Sequence, residues 1–193
     1  MSKQSFSFME SIIAIGALVT SSAAVYIAYD QAGVMHTEQR ASVLPALQID
    51  KFDLDEGSTV NVGFNVENAG VGPAFIQSAT LTNKGEAIEG QEHLTSDLPN
   101  PSGLPEGLAV VVEPMTGRVI APGVMKQAIL LRWKSDSLDP ISRRAIYTKT
   151  DGLALEICFC DTLKNCWVSR SEARAHPKQV SGACPIPKKG GLF

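Results

Sequence analysis

Thr59 to Glu67 reads TVNVGFNVE, and its alternation decides the fold of most of the chain. Val60, Val62, Phe64 and Val66 fall on one side, and Asn61, Gly63, Asn65 and Glu67 on the other. That is the period-2 pattern of a half-buried strand. The next residues, Asn68-Ala69-Gly70-Val71-Gly72-Pro73, form a turn cluster, with Asn68, Gly70, Gly72 and Pro73 as its structural residues. Glycine supplies backbone angles closed to other residues, and proline fixes the next one. Ala74 to Leu81 resumes as a strand, and Asn83-Lys84-Gly85 turns again. Leu108–Val112, Lys126–Trp133, Arg144–Thr148 and Leu153–Cys160 follow as further runs of strand length, punctuated by Pro122-Gly123, Ser135-Asp136 and Asp151-Gly152. Short strands at this spacing predict an antiparallel, immunoglobulin-like β-sandwich over residues 43–184. The polar interval Gly85–Pro105 reads as a long loop with room for one helical turn and as a contact surface, and Pro185–Phe193 as a loose tail.

Towards the N-terminus the pattern changes. Ser11 to Tyr29, SIIAIGALVTSSAAVYIAY, carries no charge over 19 residues. As a helix it spans about 28 Å, close to a hydrocarbon core. Glu10 and Asp30 bound it, and Tyr26 and Tyr29 suit the interface. No proline interrupts Gln31–Ser42, while Leu44 precedes Pro45 and resists the helical region. Residues 1–42 are therefore expected to be a transmembrane helix that continues as a stalk, with the helix running from about Ser7 to Ser42. Ala14, Ala17, Ser21, Ala24 and Ala28 recur at spacings of 3, 4, 3 and 4, a small-residue stripe for packing against another helix. Two rival readings stand beside this one. Ser22-Ala23-Ala24 resembles a signal-peptide cleavage site. Phe6 followed by Glu10 ahead of the apolar run resembles a pilin leader, with Ser5 where that pattern has Gly. Lys3 before the helix and Arg40 after it favour a cytoplasmic N-terminus and a periplasmic domain in a bacterial inner membrane.

Composition narrows the function classes. Lys and Arg number 17 against 20 Asp and Glu, a net charge of −3. No basic stripe exists for nucleic acid. With one apolar run, the chain is no polytopic transporter.

The cysteines sit at positions 158, 160, 166 and 184. On a strand, Cys158 and Cys160 share a face about 6.5–7 Å apart at Cα, which is poor for a mutual bond. A hairpin loop Asp161–Asn165 sets Cys166 opposite Cys160, leaving Cys158 for Cys184. This is the preferred of three connectivities and suits an oxidising periplasm. A zinc site is the competing reading, although C-x-C-x5-C-x17-C lacks paired C-x2-C knuckles.

Catalytic signatures are absent from the sequence. His36, His93 and His176 sit in no ligand or triad spacing. Gly70-Val71-Gly72 lacks the third glycine of a dinucleotide loop, and Asp53, Asp55 and Glu56 lack a calcium-loop frame. No catalytic residue, cofactor or metal is expected.

Three stretches carry a resemblance: Gln39–Pro45, Val66–Ala74, and Ile157–Cys160 through Cys166-Trp167. They resemble a group of bacterial single-pass membrane proteins with one N-terminal membrane helix and an extracytoplasmic β-domain. N-A-G-x-G-P-A is the most specific piece; Leu44 stands where that group tends to carry Trp. The resemblance implies architecture and no activity. The expected function is a non-enzymatic accessory or scaffold subunit, with the lipid bilayer and another membrane protein or its own copies as partners and no nucleic acid. A periplasmic ligand- or metal-binding module and a pilin-like filament subunit are the alternatives.

Overall fold

The computed structural model describes residues 3–56, 59–97, 108–134, 138–172, 176–185 and 193. It divides into two compact units, Met1–Ser42 and Val43–Phe193. Unit one is a single helix, α1 (Lys3–Ser42), which begins a turn earlier than its composition suggests. Its stretch Phe8–Ser42 is long and apolar enough to cross a membrane, and none of its most apolar window is buried in protein. Ile12, Leu18, Val25 and Tyr26 are all more than half exposed. The polar residues inside the run satisfy themselves: Thr20, Ser21 and Ser22 donate to carbonyls three or four residues back, at 2.7–3.1 Å. That removes the cost of carrying hydroxyls into an apolar medium.

Unit two holds two antiparallel sheets. The first has the order β1-β2-β7-β5, from β1 (Leu47–Asp55), β2 (Thr59–Asn68), β5 (Ala109–Val112) and β7 (Met125–Lys134). The second has the order β10-β9-β8-β3-β4, from β3 (Ala74–Asn83), β4 (Glu86–Ala87), β8 (Leu153–Cys160), β9 (Cys166–Arg170) and β10 (Lys178–Val180). The two-residue β6 (Val119–Ile120) pairs with the start of β3.

The alternation of β2 does what its pattern dictates: Val60, Val62, Phe64 and Val66 are fully buried. They share one core with Ile76 and Leu81 of β3, Ile129, Leu131 and Trp133 of β7, and Leu155, Ile157 and Phe159 of β8. Each such side chain contributes about 1.5–3 kcal/mol on burial. The sheets are also tied at an edge, where the Ser169 hydroxyl on β9 donates to the Leu47 carbonyl on β1 at 2.7 Å.

Three sequence expectations change. Arg144–Thr148 lies within a helix, α3 (Pro140–Thr150), and is no strand. Asp139 caps it, its Oδ1 accepting from the N–H groups of Ile141 and Ser142 at 2.8 and 2.7 Å, and Pro140 suits the first turn. Burial of Ile146 and Thr150, four apart, docks one face. Lys51 of β1 closes the other end, its Nζ donating to the carbonyls of Thr150 at 2.6 Å and Asp151 at 3.2 Å. The second change concerns Gly85–Pro105, where the single helical turn extends to an eight-residue helix, α2 (Gly90–Asp97), anchored by fully buried Leu94, and β4 precedes it. Positions 98–105 of that interval lie outside the described residues. The third concerns the tail: positions 186–192 are likewise outside, whereas Phe193 packs partly buried against the core.

Candidate functional site

The β8–β9 hairpin builds the most chemically distinctive corner of the outer unit. Asp161, nearly buried, organises its loop. Its Oδ1 accepts from the N–H groups of Leu163 and Asn165, both at 2.8 Å, and its Oδ2 from Asn165 Nδ2 at 2.9 Å. Lys164 takes a left-handed φ of 65°, which tightens the return. The register then sets Cys160 opposite Cys166, and the two are bridged. Cys158, two residues back, is bridged to Cys184 across 26 positions. Phe159 and Trp167, at the alternate positions of the two strands, stack at a centroid distance of 6.0 Å.

The two bridges meet. Cys160 Sγ lies 3.9 Å from Cys184 Sγ. The sulfurs of Cys160, Cys166 and Cys184 all fall within 4.8 Å of one another. They line an open groove of about 860 Å³ together with Phe75, Gln77, Lys164 and Gln179. With every sulfur bonded to another sulfur, none offers the thiolate that zinc requires. Cys158 is 1% exposed, although its face of the strand is the one away from the large apolar side chains. The reason is its bridge, which brings Cys184 over it.

Asn68 is the second focus. Its side chain is fully buried and uses all four of its hydrogen-bonding positions. Nδ2 donates to the carbonyls of Gly72 at 2.8 Å and Ile120 at 3.0 Å. Oδ1 accepts from the N–H groups of Gly70 at 3.0 Å and Ala46 at 3.2 Å. The backbone N–H groups of Ala69 and Val71 bond the carbonyls of Ala46 and Leu44 at 2.9 and 3.0 Å. The turn thus grips Val43–Ala46, the first residues of the outer unit. Glycine is required here by close approach. A Cβ on Gly70 would lie 2.4 Å from Ala46 N, and one on Gly72 would lie 1.9 Å from the Val43 oxygen. Pro73 follows and leads into β3.

The remaining sequence candidates disperse. Ala14, Ala17, Ser21, Ala24 and Ala28 are exposed along α1. His36 and His176 are exposed, and His93 Nδ1 accepts from the Glu89 N–H at 3.0 Å. The acidic cluster serves structure. Asp55 pairs with Arg143 of α3, and Glu56 accepts from Thr59 and Asn61 at 3.3 Å. Burial, reinforced by the charges of Asp55 and Asp53, raises the Tyr147 phenol above its ordinary value. Asp161 and Lys51 were not singled out from sequence. The Asp161-x-x-x-Asn165 spacing between two cysteines is the signal that marks the first.

No protein-family model matches the chain, and no curated protein matches it.

Proposed function

We propose that the chain is a membrane-anchored, non-enzymatic accessory or scaffold subunit. Its helix crosses a bacterial inner membrane with the N-terminus cytoplasmic, and its β-domain stands in the periplasm. The carrying observation is α1: forty residues without a break, with an apolar run that no part of its own unit covers. Water does not tolerate such a surface, whereas lipid and a second helix do. The Ala14, Ala17, Ser21, Ala24 and Ala28 stripe is the surface for that second helix, from a membrane protein or another copy. Anchoring turns weak outer contacts into intramolecular ones at effective concentrations of about millimolar.

The outer domain reads as an immunoglobulin-like sandwich. The orders β1-β2-β7-β5 and β9-β8-β3-β4 correspond to the A-B-E-D and G-F-C-C′ sheets of that fold. Its bridges differ, stapling one hairpin corner rather than joining the two sheets. The disulfides, the Asn68 turn and the acidic cluster all have structural uses, which supports a binding role over a catalytic one.

Affinity purification of the full chain from gently solubilised membranes tests this, with Ala17→Leu/Ser21→Leu as the comparison. The expected result is a stoichiometric companion, or a multiple of the 20.6 kDa chain, lost in the double variant while membrane insertion persists. Unchanged association in that variant overturns the stripe, and a bait recovered alone as a monomer overturns the scaffold. The 860 Å³ groove favours a second reading, a module for a small periplasmic ligand, which a monomeric bait would bring forward.

A further inference from the structure

The sulfur cluster does more than staple. Two bridges in separate places would each be opened and closed alone. These two abut, with Cys160 Sγ 3.9 Å from Cys184 Sγ, about a van der Waals contact. Cys158 and Cys160 occupy neighbouring same-face positions of β8, so either is a natural anchor for Cys184. Residues 181–183, which carry Cys184, are exposed, and Gly182 sits at a φ of 106°. Cys160, Cys166 and Cys184 line the groove, with Cys166 itself 5% exposed, and Cys158 is left out of the lining. Lys164 lines the same groove.

We propose that the two bridges form an exchange pair, in which a dithiol reductant opens Cys160–Cys166 and Cys160 then takes Cys184 from Cys158. The steps balance. A thiolate of the dithiol attacks Cys166 Sγ, forms a mixed disulfide there, and expels Cys160 as thiolate. Cys160 attacks Cys184 Sγ, forms Cys160–Cys184, and expels Cys158, which takes a proton from water. The second thiol of the dithiol, as thiolate, attacks its own partner sulfur in the mixed disulfide and releases Cys166, which is also protonated. The dithiol loses two electrons and becomes a disulfide; the protein gains two and keeps one bridge. The third bridge re-anchors residues 181–184 two residues along β8 and reshapes the groove. The site is thereby a redox-responsive element of the outer domain, and dithiols are its substrate class.

The test uses the full chain in detergent with dithiothreitol as the probe. Substoichiometric reduction is quenched in acid, free thiols are alkylated with N-ethylmaleimide, and unreduced peptides are mapped. Tandem fragmentation between Cys158 and Cys160 locates the label. The expected singly bridged species holds Cys160–Cys184 with label on Cys158 and Cys166. Singly bridged species that hold only Cys158–Cys184 or only Cys160–Cys166 overturn the proposal. Cys166→Ser gives a second reading without reductant, since it leaves one thiol beside an intact bridge. Label should then divide between Cys158 and Cys160, with at least a tenth on each. Label on Cys160 alone across pH 6–9 again overturns exchange. The wild-type measurement needs no substitution, so a variant that fails to fold leaves the outcome decided.

Discussion

Replacing Asn68 by alanine removes one side chain and strands four partners. The carbonyls of Gly72 and Ile120 lose donors at a fully buried position. A buried polar group left without its partner costs about 1–3 kcal/mol. The N–H groups of Gly70 and Ala46 are only partly buried. Water can take over there, and the loss is nearer the ordinary net value of about 0.5–1.5 kcal/mol per bond. Taking the low end throughout gives a destabilisation of about 3 kcal/mol. Urea unfolding of the full chain, followed by Trp133 and Trp167 fluorescence, measures it. At a slope of about 2 kcal/mol per molar the midpoint falls by about 1.5 M. Asn68→Asp sharpens the test. A carboxylate keeps the acceptor but faces the two carbonyls with no donor, so at pH 7 it should destabilise at least as much as alanine. This environment raises the folded-state pKa of the new acid above its unfolded value. The deficit should therefore be full at high pH and shrink as pH falls and a donor returns. A loss below about 1 kcal/mol for alanine, or an aspartate variant as stable as wild type at pH 7, would refute the account of the turn as a hydrogen-bonded clamp.

Other predictions follow from single contacts. Gly72→Ala drives a Cβ into the Val43 carbonyl and should cost about 1–3 kcal/mol in the same unfolding assay, the range of overpacked sites. Lys51→Met removes the charge-assisted closure of α3, a loss of about 1.5 kcal/mol that lowers the melting temperature by about 3–6 °C in calorimetry. The Ser142 and Ile141 N–H groups hold Asp139 below its ordinary value of 3.8. Its contribution is therefore complete above that value and is lost as pH falls through the lower folded value. Amide exchange in α3, corrected for intrinsic rates, should show protection dropping in that acid window, and Asp139→Asn, which caps without titrating, should abolish the dependence.

What was legible in the chain depended on length and on repetition. β2, β3, β7 and β8 each run for eight or more residues and supply large apolar side chains to the core, so their patterns survive reading alone. β4 and β6 have two residues each and hold no periodicity. β1 was missed because only Leu47 and Ile49 are buried, while its second half, around Asp53 and Asp55, is an acidic edge that answers to α3. Within α3, Ile146, Tyr147 and Thr148 have strand propensity, but the Asp139-Pro140 cap and the docking of Ile146 and Thr150 overrode it. The hairpin spacing placed Cys166 against Cys160 because loop length fixes register. The convergence of a third sulfur depends on where residues 176–184 are placed, which no local pattern encodes.

The register of the sheets also sets a timetable. Thr59 pairs with Lys134, and Asn83 with Leu153, partners about 70–75 positions downstream. At a synthesis rate of about 5–20 residues per second, β2 and β3 wait several seconds for β7 and β8 to exist. During that interval the β1–β2 hairpin can form alone, but the Val60, Val62, Phe64 and Val66 face and one strand edge stay open. Two nascent chains that meet at this stage can pair with each other instead of with their own later strands. The exposed interval ends only when Leu153–Cys160 is delivered, because that strand completes the second sheet on β3.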